Sequence, residues 1–186
     1  MERGNTNGGV VIIGSHVKKT TEQLELLKTD RSLKFVEFNQ HLVLTDDLDK
    51  EVDRVDGILE DSILKSISVV VYTNRERVDF PSDDKEKNLS LRVKISDALT
   101  SIVSNLESRP SFIVAKGGIT SSDIGTKALQ VKKAIVLGQI EKGIPVWNTG
   151  FDSKFPNLPY VIFPGNVGDS DTLLKVVRKV IDQKEY

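Results

Sequence analysis

Residues Ser111–Asp123 read SFIVAKGGITSSD. The apolar run Phe112-Ile113-Val114-Ala115 stops at Gly117-Gly118, and the hydroxyl cluster Thr120-Ser121-Ser122 follows at once. A short unbroken apolar run bounded by glycine reads as a buried strand. Beyond it, Ile124, Ala128 and Leu129 recur at helical spacing, which predicts a helix to about Gln130. The order is therefore strand, glycine turn, helix start. The first N–H groups of a helix have no acceptor within it, and glycine lets a ligand approach the backbone closely. Such a turn can seat an anion such as phosphate.

The pattern occurs twice more. Val10-Val11-Ile12-Ile13 ends at Gly14-Ser15-His16, with a helix start at Thr20-Thr21-Glu22-Gln23 and a stop at Asp30. Tyr160-Val161-Ile162-Phe163 ends at Pro164-Gly165-Asn166-Val167-Gly168. Asp169-Ser170-Asp171 then reads as a cap for a last helix, whose buried stripe is Leu173, Leu174, Val177, Val180 and Ile181.

The segments between are consistent with this. Leu33–Phe38 and Ser68–Thr73 read as strands. Thr45-Asp46-Asp47 can cap a helix carrying Leu48, Val52, Val55, Ile58, Leu59 and Ile63, whereas Leu42-Val43-Leu44 fits either state. Asn74–Lys87 is charged and reads as a solvated loop. A long helix follows, with Ile95, Leu99, Ile102, Val103 and Leu106 on one face, ended by Ser108-Arg109-Pro110. Val131–Gln139 reads as a strand, and Ile144–Trp147 as one near a sheet edge, since Pro145 removes a ladder donor. Buried strands alternating with helices predict a single α/β domain over residues 10–186: a mostly parallel sheet flanked by helices, in three α/β/α layers. The polar, glycine-rich residues 1–9 read as a disordered tail.

Composition narrows the chemistry. Of 186 residues, 38% are hydrophobic and 28% charged, and the net charge is −1, so neither nucleic acid nor membrane is favoured as a partner. The chain has no cysteine, which excludes a disulfide scaffold, a thiolate zinc site and a cysteine nucleophile. His16 and His41 cannot make a histidine-rich metal site by themselves. No transmembrane run or signal core occurs, so the expected location is cytoplasmic. The G-x-x-x-x-G-K-[ST], G-x-G-x-x-G and G-x-S-x-G motifs are all absent.

In open α/β sheets ligands bind beyond the carboxyl ends of the strands, so the three glycine loops could converge on one ligand. Turn geometry alone would also explain them, and Thr120-x-x-Asp123 is an ordinary capping box. Lys116 could reach a phosphate, although a solvated strand-end lysine is the simpler reading. His16 reads as a polar loop residue and Asp123 as a cap rather than an orienter of metal-bound water. Trp147 could stack on an adenine or pack an edge, and Asp169 and Asp171 read as capping acids.

The ordered segments VVIIGSHVKKTTEQLELL, FIVAKGGITSSDIGTKAL, KAIVLGQIEKGIPVW and YVIFPGNVGDSDTLLKVV resemble the nucleotide-binding C-terminal half of the four-carbon acid sugar kinases, from about Gly9 to Ile181. The resemblance implies ATP, with Mg2+, as phosphoryl donor to a terminal hydroxyl of threonate, erythronate or an oxo-tetronate. It implies nucleotide contacts at Ser15, at Gly117, Gly118, Ile119, Thr120 and Ser121, and at Gly165 and Asn166. At Ile119 only a backbone contact is implied. The half of the family that holds the sugar acid and an aspartate-rich catalytic motif has no counterpart before Val10, so catalytic and metal-binding residues go unassigned. The expectation is a fragment that binds nucleotide but does not turn over alone, with a homo-oligomer compatible. A non-catalytic interaction domain that has lost the nucleotide is the alternative.

Overall fold

The computed structural model describes residues 6–78 and 84–182. Its centre is β1 (Val10–Ile13), all four residues of which are buried. β1 pairs in parallel with β3 (Val69–Thr73) on one side and β4 (Ile113–Lys116) on the other. β2 (Lys34–Phe38) extends the sheet beyond β3, and β7 (Pro159–Phe163) beyond β4, both in parallel. β6 (Ile144–Thr149) and β5 (Ala134–Glu141) complete it in antiparallel pairing, so the order is β2-β3-β1-β4-β7-β6-β5.

The unbroken apolar runs have a simple cause. Side chains alternate between sheet faces, and both faces are covered. Val10, Ile12, Val69, Val71, Ile113 and Ala115 face α2 (Leu48–Leu64), α3 (Lys85–Asn105) and the turn Ile124–Ala128. Val11, Ile13, Val70, Val114 and Val161 face α1 (Lys18–Leu27) and α5 (Thr172–Asp182). The result is the single α/β domain expected from the periodicity.

Several local readings change. β6 is near an edge, one strand in from it between β7 and β5, and Pro145 sits opposite Gln139 beside a register shift. The edge is β5, where Ile135, Val136 and Leu137 are exposed at 66%, 65% and 59%. Leu42–Leu44 belongs to a 3-10 helix, Gln40–Leu44. Asp47 precedes α2 but makes no side-chain cap, pairing instead with Lys50 at 2.7 Å. The charged loop is shorter than expected, because Asp84 caps α3 through the N–H groups of Glu86 and Lys87. Residues 79–83 of that expected loop lie outside the described residues. Gly8 N–H donates to Ile63 O and Gly9 N–H to Ser68 Oγ, so packed structure begins before Val10, inside the expected tail. Among the described residues no helix is long and apolar enough to cross a membrane.

Candidate functional site

The three glycine loops follow β1, β4 and β7, which are adjacent in the sheet, so they meet at one edge. Ser15 stands between the other two. A Cβ at Gly117 would lie 3.3 Å from Ser15 Cβ, and one at Gly165 would lie 3.2 Å from Ser15 Oγ. Gly14 is closer still to its neighbour: a Cβ there would meet Thr120 Oγ1 at 2.3 Å. Glycine at 14 is thus what lets the first loop seat against the second. Gly14→Ala is expected to destabilise by roughly 1–3 kcal/mol through overpacking, a fall of about 3–10 °C in melting temperature. Adding Thr120→Ala should recover most of that loss. Equal melting of Gly14→Ala and parent, or no recovery in the pair, would count against this contact.

The central loop works through its backbone. Gly117 holds φ at 124°, a conformation open to glycine, and its N–H donates to Phe163 O at 2.9 Å. It forms the N-cap of α4 (Gly118–Asp123) without a side-chain cap. The expected capping box is therefore absent: Asp123 accepts from Ser96 at 3.2 Å and pairs with Lys127 at 3.3 Å. Ser121 Oγ donates back to Gly117 O at 2.6 Å, and Thr120, 9% exposed, packs on Gly14. Ile119 points outward, 72% exposed. The N–H groups of Gly118, Ile119 and Thr120 have no backbone acceptor among the described residues and are placed to meet a ligand. A Cβ at Gly118 would meet nothing within 4 Å, so that side of the turn is open.

α4 runs on into a π-helical turn, Ile124–Ala128, and Tyr160 accounts for it. The buried Tyr160 hydroxyl donates to Ser121 O at 2.5 Å and is hydrogen-bonded by the Gly125 backbone. It thus inserts between two groups that would bond each other in an α-helix. Gly125 leaves room, since a Cβ there would lie 3.2 Å from the Tyr160 ring. Burial pushes the phenol above its ordinary pKa, so it remains a donor. Tyr160→Phe leaves both groups buried without this partner, and a loss of about 1–3 kcal/mol is expected, read as a lower denaturant midpoint. An unchanged midpoint would mean that the helix closes without the hydroxyl. Trp147 packs edge-on against the same ring, 6.4 Å between centroids, as part of the core wall.

Lys116 departs most from expectation. It is fully buried rather than solvated. Its Nζ donates to Pro164 O at 3.2 Å and Gly165 O at 3.4 Å, and lies 3.8 Å from the centre of the Phe163 ring. Burial, then the charge of Lys19, lowers its pKa to about 7. Thr20 Oγ1 also reaches Gly165 O, at 3.2 Å. The C=O and N–H of a trans peptide point in opposite directions. Drawing these two carbonyls inward therefore turns the N–H groups of Gly165 and Asn166 outward, and neither has a protein acceptor among the described residues.

Other positioning residues escaped the sequence reading. Gln23, fully buried, donates to Val167 O at 3.1 Å and Asp169 O at 2.8 Å, anchoring the late loop to α1. Thr20 and Gln23 share the buried face of α1 with Leu24 and Leu27, and polar residues in an apolar stripe were the available signal. Arg75, just past β3, donates through Nη2 to Ser15 O at 2.9 Å and to Thr21 Oγ1 at 2.8 Å. His16 is half-buried, and burial followed by the charges of Arg75 and Arg77 lowers its pKa. Asp171 pairs with Lys175 at 2.7 Å, while Asp169 N–H donates to Thr172 Oγ1. No group of His, Asp and Glu suited to a metal occurs among the described residues.

An α/β domain with three backbone-rich loops at one sheet edge is the class of protein this geometry defines. The sequence matches the model of the nucleotide-binding C-terminal domain family over residues 10–173, and the chain belongs to that family. Solved structures with the same fold include DUF1537 proteins, a domain family of unknown function. One, from Bordetella bronchiseptica, is a domain-swapped dimer with bound citrate. It superposes with a TM-score of 0.71 at 17% identity, covering 94% of this chain and 41% of that one. A Haemophilus influenzae protein gives 0.64 at 18% identity, covering 93% and 40%. A Salmonella typhimurium LT2 protein, called a candidate tRNA synthase, gives 0.66 at 16%, covering 93% and 41%. The chain thus spans about two-fifths of each of these structures. No curated protein matches it.

Proposed function

We propose that this domain binds ATP across the loops at Ser15, Gly117–Ser121 and Gly165–Asn166, as the nucleotide half of a kinase acting on four-carbon sugar acids such as threonate or erythronate. The observation that carries the reading is the meeting of three glycine loops at one sheet edge, two of them with N–H groups that have no protein acceptor among the described residues, within a chain of a nucleotide-binding family. Backbone N–H groups of Gly118, Ile119, Thr120, Gly165 and Asn166 offset phosphate charge. Ser121 acts by bracing the turn through its hydroxyl and Thr120 by packing it, rather than by donating to phosphate. The described residues offer Mg2+ no acidic cage, which suits an ion carried on the nucleotide phosphates and water. Phosphoryl transfer depends on positioning and charge stabilisation, so a sugar acid and a base supplied from a second domain would complete the site. Thermal melting with ADP and ATP, with and without Mg2+, tests the reading. A ligand at a hundred times its Kd stabilises by about 2.7 kcal/mol, so a rise of several degrees is expected. No rise at millimolar nucleotide would overturn it.

A further inference from the structure

β5 is the last strand of the sheet and pairs only with β6. Residues 135–139, a run through its middle, are all exposed. Side chains alternate between sheet faces, so an unbroken exposed run means that β5 stands clear of the helices on both sides. Three of these residues, Ile135, Val136 and Leu137, are large and apolar.

The outer edge of the strand is equally open. Gly150 N–H donates to Lys133 O at 3.0 Å just before β5, and Lys179 Nζ to Ile140 O at 3.2 Å near its end. Between these points the backbone of residues 135–139 has no partner outside the ladder with β6 among the described residues. The two register shifts bend β5 against β6 and leave this edge uncovered. An unpaired edge accepts a further strand, and proteins block it with proline or with charged side chains on the edge. Residues 134–140 contain neither.

The charges at the two ends of the strand select what can cover it. Lys132 and Lys133 precede β5, and Glu141 ends it. A second β5, turned about a two-fold axis through Leu137, places Lys133 opposite Glu141 at both ends and lays the apolar middle on itself. A parallel copy would set lysine against lysine and glutamate against glutamate, and like charges directly opposite are destabilising. Glu141 already holds Lys179 at 2.6 Å on its own chain, and the two oxygens of a carboxylate can serve a second cation.

We propose that two copies of this chain associate by antiparallel pairing of β5 with β5, continuing one sheet through both. The contact is isologous, so it uses up the open edge of each copy and closes at two. β6 separates β5 from β7 and its glycine loop, so nucleotide binding takes no part in the pairing.

Because the chain has no cysteine, a single introduced thiol reports the register. In this pairing Leu137 faces Leu137 of the second copy, with Cα atoms about 4.5–5.5 Å apart, within reach of a disulfide. Ile135 faces Gln139 instead, which leaves the two Ile135 Cα atoms roughly 14 Å apart. Sedimentation of the full chain at high micromolar concentration should give twice the chain mass. Mild oxidation should convert Leu137→Cys to a covalent dimer and leave Ile135→Cys single. Leu137→Lys, at an exposed position, sets two ammonium groups against each other and should sediment as a monomer with an unchanged circular dichroism spectrum. Lys133→Glu should shift the equilibrium toward monomer as well. A monomer at every concentration, a dimer that persists in Leu137→Lys, or cross-linking of Ile135→Cys as complete as that of Leu137→Cys overturns the proposal.

Discussion

Gly118→Asp is expected to abolish the nucleotide-induced rise in melting temperature while leaving the free protein folded. A side chain here enters open space, and no positive φ forbids it. An acidic residue in the first turn of a helix also suits the positive end of its dipole, and replacing glycine restricts the unfolded chain. The free variant should therefore melt at or slightly above the parent. The carboxylate, however, stands where the N–H groups of Gly118, Ile119 and Thr120 would meet phosphate. Two unit charges about 4 Å apart repel by about 4 kcal/mol at an effective dielectric of 20, or about a thousandfold in Kd. Gly118→Asn carries nearly the same bulk without the charge and should lose far less. Full nucleotide response in Gly118→Asp, measured by melting or calorimetry, would remove the central loop from the site.

Lys116→Met is expected to weaken nucleotide binding about tenfold or more and to remove a pH dependence from stability. Methionine can fill the volume of the lysine stem but cannot hold the carbonyls of Pro164 and Gly165. Gly165 O keeps its contact with Thr20, whereas Pro164 O is left without a donor. The late loop is then free to turn its N–H groups away from the ligand, and a nearby positive charge is lost. The sign of the pH effect follows from a folded pKa of about 7 below the ordinary 10.5. Between these values the unfolded chain binds more protons, so the parent gains stability as pH rises through that window. Below about 7 both states are protonated and the burial penalty is fully present. The Met variant should show a flatter profile, with its relative stability greatest on the acidic side. Parallel profiles for the two proteins would show that the ammonium is not titrating in the fold. Unchanged nucleotide affinity would show that the loop holds its shape without it.

The same residue shows where sequence reading ends. Lysine at a strand terminus reads as solvated, because an unpaired ammonium is costly to bury. Only the packing of Phe163 and two inward carbonyls makes a place for Lys116, and those residues lie some fifty positions away in the chain. Likewise Thr120, Ser121 and Asp123 have the composition of a capped helix start, yet the cap falls to the backbone of Gly117. Pro145 signalled a strand near an edge, which β6 is, but that β5 pairs outside it is a matter of strand order, which no local pattern encodes. Tyr160 reads as one more apolar position in a strand, while its hydroxyl reshapes a helix thirty-odd residues earlier.

What the sequence determined by itself is the alternation of buried strands and helices, and the glycines that end β1, β4 and β7. Period-two burial on both sheet faces and the absence of a Cβ are local properties, written in consecutive residues. What only the tertiary structure decided is which of the groups near those glycines are still free to bind. Ser121, Thr20, Gln23 and Lys116 bond within the protein, whereas the N–H groups of Gly118, Ile119, Thr120, Gly165 and Asn166 have no backbone acceptor among the described residues. Hydrogen-bond donors and acceptors are assigned by distance, and distance between residues remote in sequence is set only when the sheet closes.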